Sequence, residues 1–255
     1  MAPRLPAVPL ALTLGICAYV LLVVWVTLQG LDIGLTRSGC ATPIRRSLLR
    51  RLGALLAVWF LAVTAGALSG AYLEPGFPRA AGYTVPALVL SLVMWRVGWL
   101  RAAVEALELS AIPWLQTLRI GGGLTLYGAW SVGLAPWGFV GAAGLGDVLV
   151  GLGAAGVAVA LSSKVSWAIG AARVWNVLGL LDIAHTLFRA ITSAPGPQQI
   201  FHEPPPNLIP GVFPFLYLPA FIVPLTILLH LLSLQQLAGV REGSPGRRRA
   251  SSTAP

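Results

Sequence analysis

The chain has 255 residues, 56% of them hydrophobic and only 10% charged, with a formal net charge of +9. That balance excludes a soluble globular domain, which needs far more charge to stay dispersed, and makes the bilayer the expected solvent. The positive excess does not indicate nucleic acid, because the arginines fall between and beside apolar runs, where membrane topology is written.

A helical crossing needs roughly 20 apolar residues to span a hydrocarbon core about 30 Å thick. The apolar runs here are continuous rather than alternating with period two, so the expected fold is all-α, a polytopic transmembrane helical bundle rather than a barrel. Seven spans are predicted, at residues 8–31, 52–73, 83–100, 111–133, 138–161, 167–190 and 211–237. They form one transmembrane domain over 1–240, followed by a basic, disordered cytoplasmic tail over 241–255. The first run reads as a retained helix, because it is too long for a signal peptide and lacks a small-residue cleavage pattern. Cys17 lies inside it and Cys40 beyond its far end, which places the two thiols too far apart for a disulfide.

The connection TRSGCATPIRRSLLRR carries Arg37, Arg45, Arg46, Arg50 and Arg51. With that loop in the cytoplasm, 14 of the 17 Lys and Arg residues fall on or nearest the cytoplasmic side. Only Arg4, Arg79 and Arg189 fall nearest the outside. This is the bias of the positive-inside rule, and it places the N-terminus outside and the C-terminus inside. Arg96 and Arg101 crowd the end of the third span. The stretch RAAVEALELSAIP, 101–113, has the helical spacing of an interfacial segment. The proline-rich TSAPGPQQIFHEPPPNLIP, 192–210, reads as an extended, semi-rigid connector.

Charged groups inside the spans are the candidate chemistry. Asp147 in the fifth span and Asp182 in the sixth lie ~14 Å and ~12 Å from the outer ends of their helices at the α-helical rise. Consecutive short-linked helices are usually neighbours, so each carboxylate is the other's best-matched interior partner. An aspartate near the bilayer centre costs roughly 2.5–3.5 kcal/mol, which argues that neither faces lipid. Asn176 shares the sixth span, as does His185, three residues from Asp182 and near enough on a helix to relay protons. The other reading of this set is a hydrogen-bonded pair that fixes helix packing. Arg119, ~10 Å above the inner end of the fourth span, either snorkels to the inner interface or serves as counter-ion to the two aspartates.

The glycines of GFVGAAGLGDVLVGLGAAGVAVA, 138–160, supply a small-residue packing face. The three histidines, His185, His202 and His230, fall at different depths and lack metal-ligand spacing. No haem, metal or other cofactor is expected. The single lysine, Lys164, lies in a loop, and no nucleophile–base set emerges, so an enzyme is the least favoured class. Most tryptophans sit toward span ends, as an aromatic belt does.

Residues 113–182 resemble a family of uncharacterised bacterial multi-pass membrane proteins. The likeness rests on Arg119 with its following glycines, on Pro136 and Phe139, on AGLGD at 143–147 and on WNVLGLLD at 175–182. It implies a protein of the bacterial plasma (inner) membrane and carries no established activity. The functional expectation is a small permease-like protein moving a proton or a small polar solute. Asp147, Asp182, His185, Asn176 and Arg119 would form its intramembrane polar site. The alternative is a non-catalytic membrane scaffold or assembly subunit whose buried polar groups lock helix packing. Beyond the lipid bilayer and that solute, no partner is specified.

Overall fold

The computed structural model describes residues 7–69 and 77–242, so the predicted tail lies, apart from its first two residues, outside the described residues. Among the described residues the regular structure is entirely helical. The helices are α1 (Leu10–Arg37), α2 (Thr42–Leu68), α3 (Phe77–Trp95), α4 (Gly98–Glu105), α5 (Ala111–Gln116), α6 (Arg119–Ser131), α7 (Trp137–Ser162), α8 (Ala168–Ser193) and α9 (Val223–Glu242). A 3-10 turn at Ile209–Gly211 and a π-helical turn at Leu218–Ile222 lead into α9.

Five of these helices, α1, α2, α7, α8 and the Leu218–Val240 rod, are long and apolar enough to cross a membrane. The count is six if α3 and α4 together form one span, but those two are bent by 68° at Arg96–Val97. The predicted span 83–100 therefore ends early. At the break Arg96 and Val97 donate to carbonyls three residues back rather than four, and the arginine-flanked stretch 98–105 turns off as a separate helix. The predicted span 111–133 is also interrupted. Its two pieces meet at Thr117–Leu118, where tight i→i+3 bonds replace the α-helical pattern, and α6 alone has 13 residues. At 1.5 Å per residue that is ~20 Å, short of the ~30 Å hydrocarbon thickness.

Local chemistry sets the turns. Gly39 closes the α1–α2 hairpin at φ +77°, a left-handed conformation that glycine adopts without steric cost. Pro43 at the start of α2 lacks only an N–H that the first turn leaves unpaired anyway. Arg45 ties the hairpin from the α2 side, pairing with Asp32 at 3.2 Å and donating to the Thr36 hydroxyl. On the opposite end the connector after α8 is pinned rather than free. Gly138 N at the start of α7 donates to Glu203 at 2.9 Å, and Arg189 lies over the Phe201 ring at 3.8 Å.

The largest apolar core gathers Ile16, Val20 and Val23 of α1 and Phe139, Val140 and Ala143 of α7 around the segment leading into α9. Phe215, Leu216 and Tyr217 of that segment are fully buried, and Tyr217 stacks on Phe60 of α2 with ring centroids 4.5 Å apart. Helices α6, α7, α8 and α9 pack side by side. A Cβ on Gly123 of α6 would lie 2.6 Å from the Gly144 carbonyl oxygen of α7, so these two backbones are in direct contact, as small residues permit in lipid. That contact brings the first residue of α6 up to the middle of α7.

Candidate functional site

Arg119 opens α6 and turns into the bundle, with 4% of its side chain exposed. It does not snorkel along its helix to the interface. Its Nε and Nη2 both donate to Asp147 Oδ1 on α7, at 2.9 and 2.7 Å. The same Nη2 donates to Asp182 Oδ2 on α8. Nη1 faces the Gly179 carbonyl oxygen at 3.5 Å and His230 Nε2 on α9 at 3.3 Å. One guanidinium therefore gathers α7, α8 and α9 from its place on α6. The fixed fork of arginine donors suits this role better than a point-charge ammonium would.

The network continues beyond the arginine. A guanidinium can only donate, so His230 Nε2 accepts, and the imidazole is the neutral tautomer protonated on Nδ1. That Nδ1–H donates to Asn176 Oδ1 at 2.9 Å. The Asn176 amide in turn donates to Ser233 Oγ on α9 at 3.0 Å and to the Ala172 carbonyl at 2.8 Å. Asn176 and His230 are completely buried, and every polar group of the pair is matched, as buried polar groups require. Trp175 closes one side, with its ring 5.0 Å from His230 and its Nε1 donating to the Val150 carbonyl at 2.9 Å.

Two glycines make room for these side chains. A Cβ on Gly146 of α7 would collide with Asp182 Oδ1, and one on Gly179 of α8 would collide with the His230 ring. Near the arginine, Tyr19 of α1 donates its hydroxyl to the Leu118 carbonyl at 3.0 Å. This holds the last residue before α6, and with it the root of Arg119.

Of the residues read from the sequence, Arg119, Asp147, Asp182 and Asn176 come together. His185 does not. It is exposed on α8 and makes no hydrogen bond among the described residues. Three residues along the helix it stays beside Asp182, but at the exposed edge and outside the hydrogen-bonded network. The histidine of the network is His230, which a depth estimate along the last span sets apart from the aspartates. The signal that could have found it is Gly179, a small residue on the Asp182 helix that opens a gap of imidazole size. Among the described residues, no three His, Cys, Asp or Glu side chains are placed to hold a metal ion.

The two carboxylates keep limited access to their surroundings, with side-chain exposures of 21% for Asp147 and 13% for Asp182. A cavity of about 70 Å³ adjoins Arg119, Gly122 and Asp147 and extends past Thr186 and Thr226 to Asn207 in the connector after α8. Thr186 lies four residues after Asp182, on the same helix face, and its hydroxyl is buried without a partner among the described residues.

The family model described as a domain of unknown function (DUF8737) matches residues 77–238, from the start of α3 into the last turns of α9. That stretch contains the whole polar network except Tyr19. No curated protein and no solved structure matches the chain.

Proposed function

Since this chain belongs to the DUF8737 family, whose function is unknown, its activity has to be read from the site, and we propose a small permease-like membrane protein in which Asp147 and Asp182 carry a proton or cation coupled to movement of a small polar solute. The observation that carries this reading is the charge count at the network's centre. One guanidinium faces two carboxylates, and His230 contributes no charge as an acceptor from Arg119. Two ionised aspartates would leave one negative charge inside the bilayer, an expensive arrangement. A single proton shared by the pair, or one small cation, neutralises the centre.

In this reading the cavity past Thr186 and Asn207 is the route by which the neutralising ion or solute reaches Asp147. Taking up the proton leaves Arg119 with one carboxylate partner, and releasing it restores two. The arginine is thus the element that couples α7 to α8. The working orientation has the N-terminus outside and the C-terminus inside a bacterial plasma membrane, with seven crossings. Its support is the distribution of the 17 cationic residues. The α5–α6 pair would complete the seventh crossing.

Reconstitution tests the proposal. Vesicles containing the protein and a trapped pH-sensitive dye are expected to dissipate an imposed pH gradient when a transported solute is supplied, and Asp147→Asn and Asp182→Asn should each abolish that flux. A second reading, a non-catalytic scaffold, is favoured by one specific observation: every nitrogen of Arg119 is engaged. It wins if the wild-type protein passes no proton under any gradient while both variants loosen the fold.

A further inference from the structure

A second and more spacious cavity lies away from the polar network. It has a volume of about 680 Å³ and is bounded by α1, α2, α3, α4, α5 and the start of α9. Its walls are almost wholly apolar, with Leu28 and Leu31 of α1, Leu55 and Trp59 of α2 and Leu90 and Met94 of α3 among them. Water has too few polar partners to fill such a space, and the volume is that of a site for a substantial organic ligand. Leu55 and Leu90 line the cavity and are also exposed on the outer surface, so the space opens sideways between helices. Only 11% of the apolar window of α2 is buried within the chain, and α2 stands as a loosely seated wall.

Along α1 the lining runs from Val24 to Arg37, ~20 Å at the helical rise. One leaflet of hydrocarbon is ~15 Å deep, so the cavity has the reach of one acyl chain from interface to mid-bilayer. Its interfacial end carries one charged lining residue of each sign, Arg37 and Glu108. Arg37 itself lines the cavity, paired loosely with Glu108 at 3.7 Å. Arg51 precedes the lining residue Leu52 and stands one turn below Leu55. Arg46 and Arg50 are exposed on the same helix end, and residues 37–51 contain five arginines and no acid. From these observations we propose that the cavity holds one acyl chain of an anionic phospholipid, with the phosphate headgroup at the arginine-rich α1–α2 turn, against Arg37.

The site is separate from the aspartate pair, so its test does not depend on transport. The full-length chain in detergent is mixed with phosphatidylglycerol or phosphatidylcholine, and retained lipid is counted by native mass spectrometry. The expected result is retention of one phosphatidylglycerol, with at least a tenfold preference over phosphatidylcholine. Arg37→Gln should erase the preference. Gly30 lines the cavity and has open space where a Cβ would go, so Gly30→Phe fills it from a position that tolerates a side chain and should abolish retention of both lipids. A second measurement reads tryptophan fluorescence. One brominated-chain phosphatidylglycerol per protein should quench fluorescence in the wild type, and most of that quenching should vanish when the two lining tryptophans are replaced together, Trp59→Phe with Trp114→Phe. Equal retention of the two lipids by the wild type, unchanged retention in Gly30→Phe, or quenching that does not depend on Trp59 and Trp114 overturns the proposal.

Discussion

At the scale of single residues, the polar centre makes an unusual ranking of substitutions. Removing one partner from a buried ion pair costs about 3–5 kcal/mol, because a charge is left uncompensated. Here Arg119→Gln strands two carboxylates, and Asp147→Asn combined with Asp182→Asn strands the guanidinium. Either change is expected to destabilise the protein by that amount. Asp182→Asn alone leaves one carboxylate facing one guanidinium, a balanced pair, and should cost no more than about 1.5 kcal/mol, the net worth of a typical hydrogen bond. Thermal unfolding in detergent reads the order directly. A single aspartate substitution as damaging as loss of the arginine would mean that the two acids act independently rather than sharing one counter-charge.

Between elements, close approach decides how the network is held. Gly179 on α8 faces the His230 ring, so Gly179→Ala should push α8 and α9 apart and cost about 1–3 kcal/mol, as overpacking usually does. A methyl group added at Gly156 on α7 would meet nothing within 4 Å, and Gly156→Ala should be neutral or stabilising by up to ~1 kcal/mol through helix propensity. A lowered melting temperature for both would show that general helix loosening, not the histidine contact, is being measured. The same contrast explains what sequence reading reaches. The approximate places of α1, α7, α8 and the last rod follow from apolar run length, and matched helical depth brings Asp147 and Asp182 to one level. The start of α2 at Thr42 and the breaks inside 83–100 and 111–133 do not follow. The inward turn of Arg119 does not, because snorkelling and pairing use the same side chain, and only the seating of Tyr19 on the Leu118 carbonyl fixes its root. His230 is out of reach because the predicted span 211–237 is set too early; the membrane-length rod runs Leu218–Val240 and carries His230 at its middle. The bend at Arg96–Val97 likewise needs the backbone, since a run of apolar residues says how much can be buried and not where the rod breaks.

For the whole molecule, the proposed orientation makes Cys40 a natural probe. It lies in the α1–α2 turn and is partly exposed. In a Cys17→Ser background, a membrane-impermeant maleimide should leave intact cells unlabelled and label inverted vesicles at this single thiol. Labelling of intact cells would reverse the topology. One feature of the architecture also bears on how the protein is made. Arg119 is synthesised 28 residues before Asp147 and 63 before Asp182, and it begins a helix too short to satisfy the bilayer by itself. An arginine away from the interface opposes insertion, by up to roughly 2.5–3.5 kcal/mol at a helix centre, so α6 with Arg119 at its first position is poorly held in lipid while its acidic neighbours are still on the ribosome. Biogenesis therefore has to proceed as a delayed, grouped release from the insertion machinery, in which α6 waits and then enters the bilayer together with α7 and α8.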